Sequence, residues 1–131
     1  MIVVDASVLA VALSDDGRDG DIARARLRDE QLAAPEVIDL EIGSVLRRQR
    51  LAGTIDERRA RLALDDLVDL PMRRAPQRPL LMRCWELRDN LTVYDAAYVA
   101  LAEALGTSLL TADTQLSRAP GVMCAVEVLP T

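Results

Sequence analysis

Four acidic residues, far apart in the chain, carry the most chemical information in this sequence: Asp5, Glu41, Asp95 and Asp113. Asp5 follows the apolar run Ile2-Val3-Val4. Asp113 follows Leu109-Leu110-Thr111-Ala112, and Asp95 stands at capping-box spacing from Thr92, just before an Ala-rich segment. Acids at element ends are where open α/β sheets place their chemistry. Glu41 differs, because it shares an apolar helical stripe with Val37 and Val45. A carboxylate on such a stripe is costly unless it is paired or ligates a cation. Four ionised carboxylates in one pocket repel unless a cation neutralises them. Oxygen-only donors favour Mg²⁺ or Mn²⁺ over zinc. Ions of that kind lower the pKa of an attacking water and neutralise charge on a phosphodiester, with no covalent nucleophile. Strand-end Asp residues also serve simply as helix caps, so spacing alone leaves both readings open.

Composition narrows the choice. Half of the 131 residues are hydrophobic, which argues against disorder and predicts one domain over residues 1–131. There is no His, so acid–base catalysis by imidazole is excluded. Cys84 and Cys124 lack zinc-like spacing. No apolar run reaches membrane-spanning length, and no basic region precedes the first apolar residues, so a soluble cytoplasmic protein is expected. All 16 basic residues are Arg, against 21 acids, for a net charge of −5. That balance argues against a nucleic-acid coat protein but not against a nuclease, since a bound ion reverses the local field. A phosphoaspartate phosphatase wants an acid where Ser7 stands, and a phosphate-accepting receiver wants a Lys; neither is present. No phosphate-binding or dinucleotide-binding glycine run occurs.

The elements that must position the acids can be read in order. Ile2 to Asp5 fits a buried parallel strand, followed by a helix with Ser7 as its N-cap. Asp15 to Gly20 reads as a loop with solvated acids, and Asp21 to Glu30 as a polar helix. Leu32 to Ala34 is a short strand closed by Pro35, which starts a helix running to Ala52. Gly53 ends that helix, and Thr54 or Asp56 caps the next, with Val68 to Leu70 expected as a strand. Residues 72–79 read as an irregular connection, and Leu80 to Leu87 as helical. Asn90 to Leu116 then gives a loop, a helix stopped by Gly106, a strand and a turn; Thr111 shares a strand face with Asp113 and is placed to support it. Val122, Cys124, Val126 and Val128 alternate as a half-buried edge strand does. Strands alternating with helices predict a parallel α/β sheet.

The segments IVVDAS, Pro35 to Glu41, LTVYDAAYVALAEALG and LLTAD resemble the PIN-domain ribonucleases and, within them, the VapC toxins of bacterial toxin–antitoxin pairs. The resemblance covers nearly the whole chain. It implies a three-layer α/β/α sandwich around about five short parallel strands. It also implies Asp5, Glu41, Asp95 and Asp113 as the catalytic and metal-binding acids, Mg²⁺ or Mn²⁺ as cofactor, and Ser7 and Thr111 as supporting hydroxyls. The implied reaction is RNA hydrolysis to a 5′-phosphate and a 3′-hydroxyl, with transfer RNA or ribosomal RNA as targets. The implied partners are a second copy in a homodimer and a small antitoxin, through which operator DNA is reached. An optional further Asp after the fourth acid is missing, since Thr114, Gln115 and Leu116 follow Asp113. In this frame Arg47, Arg48, Arg50, Arg73, Arg74 and Arg78 are candidate contacts to RNA phosphates. Leu27, Leu46 and Leu51 are candidates for an antitoxin groove, although core packing explains them equally well. The competing readings are a catalytically silent PIN-like binding module, or a related nuclease acting in RNA maturation or on DNA.

Overall fold

The structure is a computed structural model, and residues 1–130 are described here. Five short strands form one parallel sheet: β1 (Ile2–Val4), β2 (Leu32–Pro35), β3 (Arg73–Ala75), β4 (Leu109–Thr111) and β5 (Val126–Val128), in the order β3-β2-β1-β4-β5. The central strand β1 is buried along its whole length, as a strand covered on both faces must be. Helices α1 (Ala6–Ser14), α2 (Arg18–Leu27), α3 (Ile38–Leu51) and α4 (Glu57–Asp69) pack together on one face. On the other face α5 (Leu81–Glu86) packs on α6 (Val93–Leu105), which lies across β1, β2 and β4; the short α7 (Thr114–Arg118) packs by β5. This is the expected three-layer α/β/α arrangement. The chain leaves β1 toward β2 on one side and returns to β4 on the other. The strand order therefore reverses at β1, and the crevice outside the carboxyl ends of β1 and β4 is where such sheets bind ligands.

The core is aliphatic. Val3, Val4, Leu109 and Leu110 from the sheet meet Val8 and Leu9 of α1, Ile38, Ile42 and Leu46 of α3, and the Ala-rich α6. Ala96, Ala97, Ala100 and Ala102 leave little side-chain bulk on α6, so it seats close to the strands. Gly106 ends α6 in the left-handed conformation (φ 65°), with its N–H returned to Glu103, which a side chain would strain.

Several local expectations are corrected. The third strand is Arg73–Ala75, not Val68 to Leu70. Those residues continue α4 to Asp69, and Pro71 then stops it, leaving Val68 exposed. Residues 72–79 are thus not simply irregular: they hold β3 and the start of a 3-10 turn, Arg78–Leu80. Pro35 ends β2 rather than starting a helix. The ladder to β1 stops at Ala33, so the missing N–H leaves no gap. Ser7 lies inside α1, whose N-cap is Asp5. The edge strand β5 is only Val126–Val128, with Val122 and Cys124 outside the ladder. Helix α2 begins at Arg18, and the acids before it are not merely solvated: Asp15 accepts the Gly17 and Gly20 N–H groups, and Asp16 holds Arg59.

Gly20 is where α2 meets the end of α1. A Cβ there would run into the Asp15 carbonyl. Gly20→Ala is therefore expected to destabilise the fold by about 1–3 kcal/mol, the usual cost of overpacking, read as a lower urea midpoint.

Candidate active site

Asp5 ends β1 at the crevice and is nearly buried (6% exposed). One of its oxygens is fixed from two sides: Oδ2 accepts from Thr111 Oγ1 (2.7 Å) and from Ser7 Oγ (2.9 Å). Both hydroxyls are themselves held by the chain leaving β4. The Ala112 N–H donates to Ser7 Oγ (3.1 Å) and the Asp113 N–H to Thr111 Oγ1 (3.0 Å). The two hydroxyls thus tie β1 to β4, with no bond to Asp5 Oδ1. Thr111 does support Asp113, through the backbone, but its own proton goes to Asp5. The Asp113 carboxylate accepts the Gln115 N–H and caps α7.

Glu41 sits in the first turn of α3 and is half-buried. The sequence offered no partner for it. The structure supplies Tyr98, a wholly buried residue of α6 whose hydroxyl donates to Glu41 Oε1 at 2.6 Å. Sequence reasoning passed over Tyr98. The one available signal was its place one helical turn after Asp95, which puts both on a single face of α6. Asp95 occupies the first turn of α6, where its N–H donates to the N-cap Thr92 Oγ1 (3.1 Å). That is half of the expected capping box.

All four acids stand at helix N-termini: Asp5 and Asp113 at the N-caps of α1 and α7, Glu41 and Asp95 in the first turns of α3 and α6. Helix dipoles favour negative charge there, which is how the fold tolerates the collection. The compensation is incomplete. Burial pushes the Glu41 carboxyl above its ordinary value, the charges of Asp5 and Asp95 push it further, and the Tyr98 hydrogen bond opposes. Burial likewise raises Asp95, followed by repulsion from Asp5 and, more weakly, from Asp113, with Thr92 opposing. Glu41 thus feels Asp5 and Asp95, and Asp95 feels Asp5 and Asp113, so the four acids are linked pairwise. No ion pair among the described residues involves any of them. Nor do any three carboxylates or thiols among those residues stand close enough to form a ready-made metal cage. The donors at hand are carboxylates and hydroxyls only, which suits a hard divalent ion rather than zinc or copper.

The six candidate arginines do not converge on this crevice. Helix α3 runs away from it, so Arg47 and Arg50 lie about 9 and 14 Å along the axis from Glu41. Arg48 donates to Ser44, and Arg50 reaches Glu57 loosely at 3.6 Å. Arg47 and Arg50 line a cleft of about 390 Å³ between α3 and α4, with Leu46 and the exposed Leu51. Leu46 is otherwise core, and Leu27 packs against the core from α2. Arg73 is exposed on the edge strand. Arg74 is structural in its contacts: it pairs with Asp39 (2.9 Å) and donates to the Leu67 and Leu70 carbonyls, fastening β3 to α3 and α4. Of the six, Arg78 alone follows a carboxyl strand end, on the acids' side of the sheet. Arg74→Met is expected to cost about 2 kcal/mol of stability, from charge-assisted hydrogen bonds lost, read as a lower denaturation midpoint.

Among the described residues no helix is long and apolar enough to cross a membrane. Residues 2–122 match the PIN domain family. The chain is 43% identical over 128 residues to Ribonuclease VapC1 of Mycobacterium tuberculosis, covering 97% of this chain and 96% of that protein. Its fold is similar to that of VapC20 of Mycobacterium tuberculosis, a sarcin–ricin loop cleaving toxin (TM-score 0.75, 19% identity, 99% of this chain and 100% of that one). It is similar also to the VapBC2 structure from Rickettsia felis bound to a DNA fragment from their promoter (TM-score 0.73, 14% identity, 99% and 100%). By the match over most of its length and its identity to VapC1, the chain belongs to the PIN-domain family and, within it, to the VapC ribonucleases.

Proposed function

We propose that this chain is a metal-dependent endoribonuclease toxin, with Asp5, Glu41, Asp95 and Asp113 as its catalytic and metal-binding acids. One observation carries the reading: four acids from distant segments stand at helix N-termini, Glu41 and Asp95 are raised by neighbouring acids of the same set, and no ion pair among the described residues involves any of the four. When bound there, Mg²⁺ or Mn²⁺ supplies an acidified water and neutralises charge on the scissile phosphate. Asp5 is held in register by Ser7 and Thr111 through a single oxygen, which leaves Oδ1 as a ligand atom. Glu41 and Asp95 are raised by burial and by repulsion from neighbouring acids, and a bound cation would relieve that repulsion. The acidified water is the attacking group, and the products are a 5′-phosphate and a 3′-hydroxyl, as the family resemblance implies.

The whole chain acts as one nuclease domain in the cytoplasm, as a homodimer, held silent by a small antitoxin that mediates any contact with operator DNA. Its substrate is transfer RNA or ribosomal RNA, and Arg78 is the candidate arginine best placed for a phosphate near the acids. Sequencing of RNA 5′ ends after incubation with total RNA and Mn²⁺ tests the reading. Discrete new 5′-phosphate ends, absent with EDTA, are expected; undiminished cleavage by metal-stripped protein in EDTA would overturn it.

A further inference from the structure

Tyr98 spends its hydroxyl outside the core that its ring fills. The side chain is wholly buried among aliphatic residues, a place that Phe would fill as well. A buried hydroxyl is costly without a partner, and the partner here is one oxygen of one carboxylate, Glu41 Oε1 at 2.6 Å. The bond leaves Glu41 Oε2 uncommitted. Asp95 and Tyr98 lie one turn apart on α6, so the phenol extends from the face that carries Asp95 across to the helix that carries Glu41. Among the described residues it is the one side-chain hydrogen bond that joins α3 to α6.

We propose that Tyr98 is a positioning residue for the nuclease site: its hydroxyl holds the Glu41 carboxylate by one oxygen and leaves the other free to join Asp95 in holding a divalent cation. The inference rests on the metal-dependent reading given under Proposed function. A glutamate without such a tether samples several rotamers, and each orientation that turns away from Asp95 weakens the cation. Hydrogen-bond partners that orient metal ligands typically change affinity by about 10- to 100-fold. Tyr98→Phe keeps the ring and removes the hydroxyl, with its bond to Glu41 and its weaker contact to the Ala6 backbone N–H.

The test is Mn²⁺ titration calorimetry on wild type and Tyr98→Phe, with RNA cleavage followed across a range of Mn²⁺ concentration. The variant is expected to bind Mn²⁺ about tenfold more weakly. Its kcat at limiting Mn²⁺ should fall by a similar factor and recover at saturating Mn²⁺, with KM for RNA unchanged. A purely structural role would lower the melting temperature and leave the Mn²⁺ affinity of the folded protein unchanged, and that result would overturn the proposal. Wild type that binds and cleaves beside an equally competent variant removes Tyr98's role alone. Wild type that does neither removes the nuclease reading itself. If Tyr98→Phe does not fold, the wild-type ring reports instead. Mn²⁺ should perturb its near-ultraviolet dichroism, and Glu41→Gln should lose that signal; Mn²⁺ binding that leaves the band unmoved overturns the proposal.

Discussion

Asp95→Asn is expected to reduce RNA cleavage by about a hundred- to a thousandfold, the scale of losing one preorganised electrostatic contact to a transition state. The fold should survive. The substitution forfeits the attraction between a carboxylate and the N-terminus of α6, about 0.3–1 kcal/mol. It also removes a charge that Asp5 and Asp113 repel and that burial disfavours. The two effects oppose, so the melting temperature should move by only a few degrees. The Thr92 cap uses the backbone N–H of residue 95 and is untouched. Circular dichroism beside a cleavage time course separates loss of chemistry from loss of fold. A variant that is folded and fully active would remove Asp95 from the site.

Divalent metal should stabilise the protein most at neutral pH and hardly at all near pH 4. The sign follows from the direction of each shift. Glu41 and Asp95 titrate higher in the fold than their ordinary values of 4.5 and 3.8. At these two sites the folded protein therefore binds more protons than the unfolded chain in that window. These two groups cost stability as pH rises from about 4 through their raised values. Glu103 and Glu127, held low by Arg83 and Arg26, act in the opposite sense: the stability they confer is lost as pH falls through their depressed values. Without metal, stability should thus peak in mildly acid solution and settle lower at neutral pH. Mn²⁺ binds the ionised site, and at a hundred times its Kd it contributes about 2.7 kcal/mol. Melting curves at pH 4, 5.5 and 7, with and without Mn²⁺, read both effects. A metal-induced rise of equal size at pH 4 and pH 7 would mean that the ion binds elsewhere.

The element ends that carry the candidate acids are easier to read in the sequence than the elements between them. Asp5, Asp95 and Asp113 were legible because apolar runs and an Ala-rich segment end at them, and the sheet did close with β1 beside β4. Glu41 was legible only as an anomaly, since its partner Tyr98 is distant in the chain and a tyrosine in an apolar helix reads as core. The strand at Arg73–Ala75 carried no apolar signature. It forms because the edge of β2 accepts it and because Arg74 finds Asp39 and two carbonyls, contacts that exist only once α3 and α4 are docked. Val68 to Leu70 looks like a strand for the opposite reason: Val68 is apolar but faces outward on α4, and Leu70 packs against the core from the helix end rather than from a sheet. The arginines at 47–50 and at 73–78 form two groups in the sequence, and the run of α3 carries the first of them away from the crevice.

The most direct test is a crystal structure of the protein with Mn²⁺, read by anomalous scattering. A manganese peak enclosed by Asp5, Glu41, Asp95 and Asp113, with Tyr98 still bonded to Glu41, is the predicted result. A peak elsewhere on the surface, or a loaded site from which Glu41 or Asp95 turns away, would contradict the account at its root.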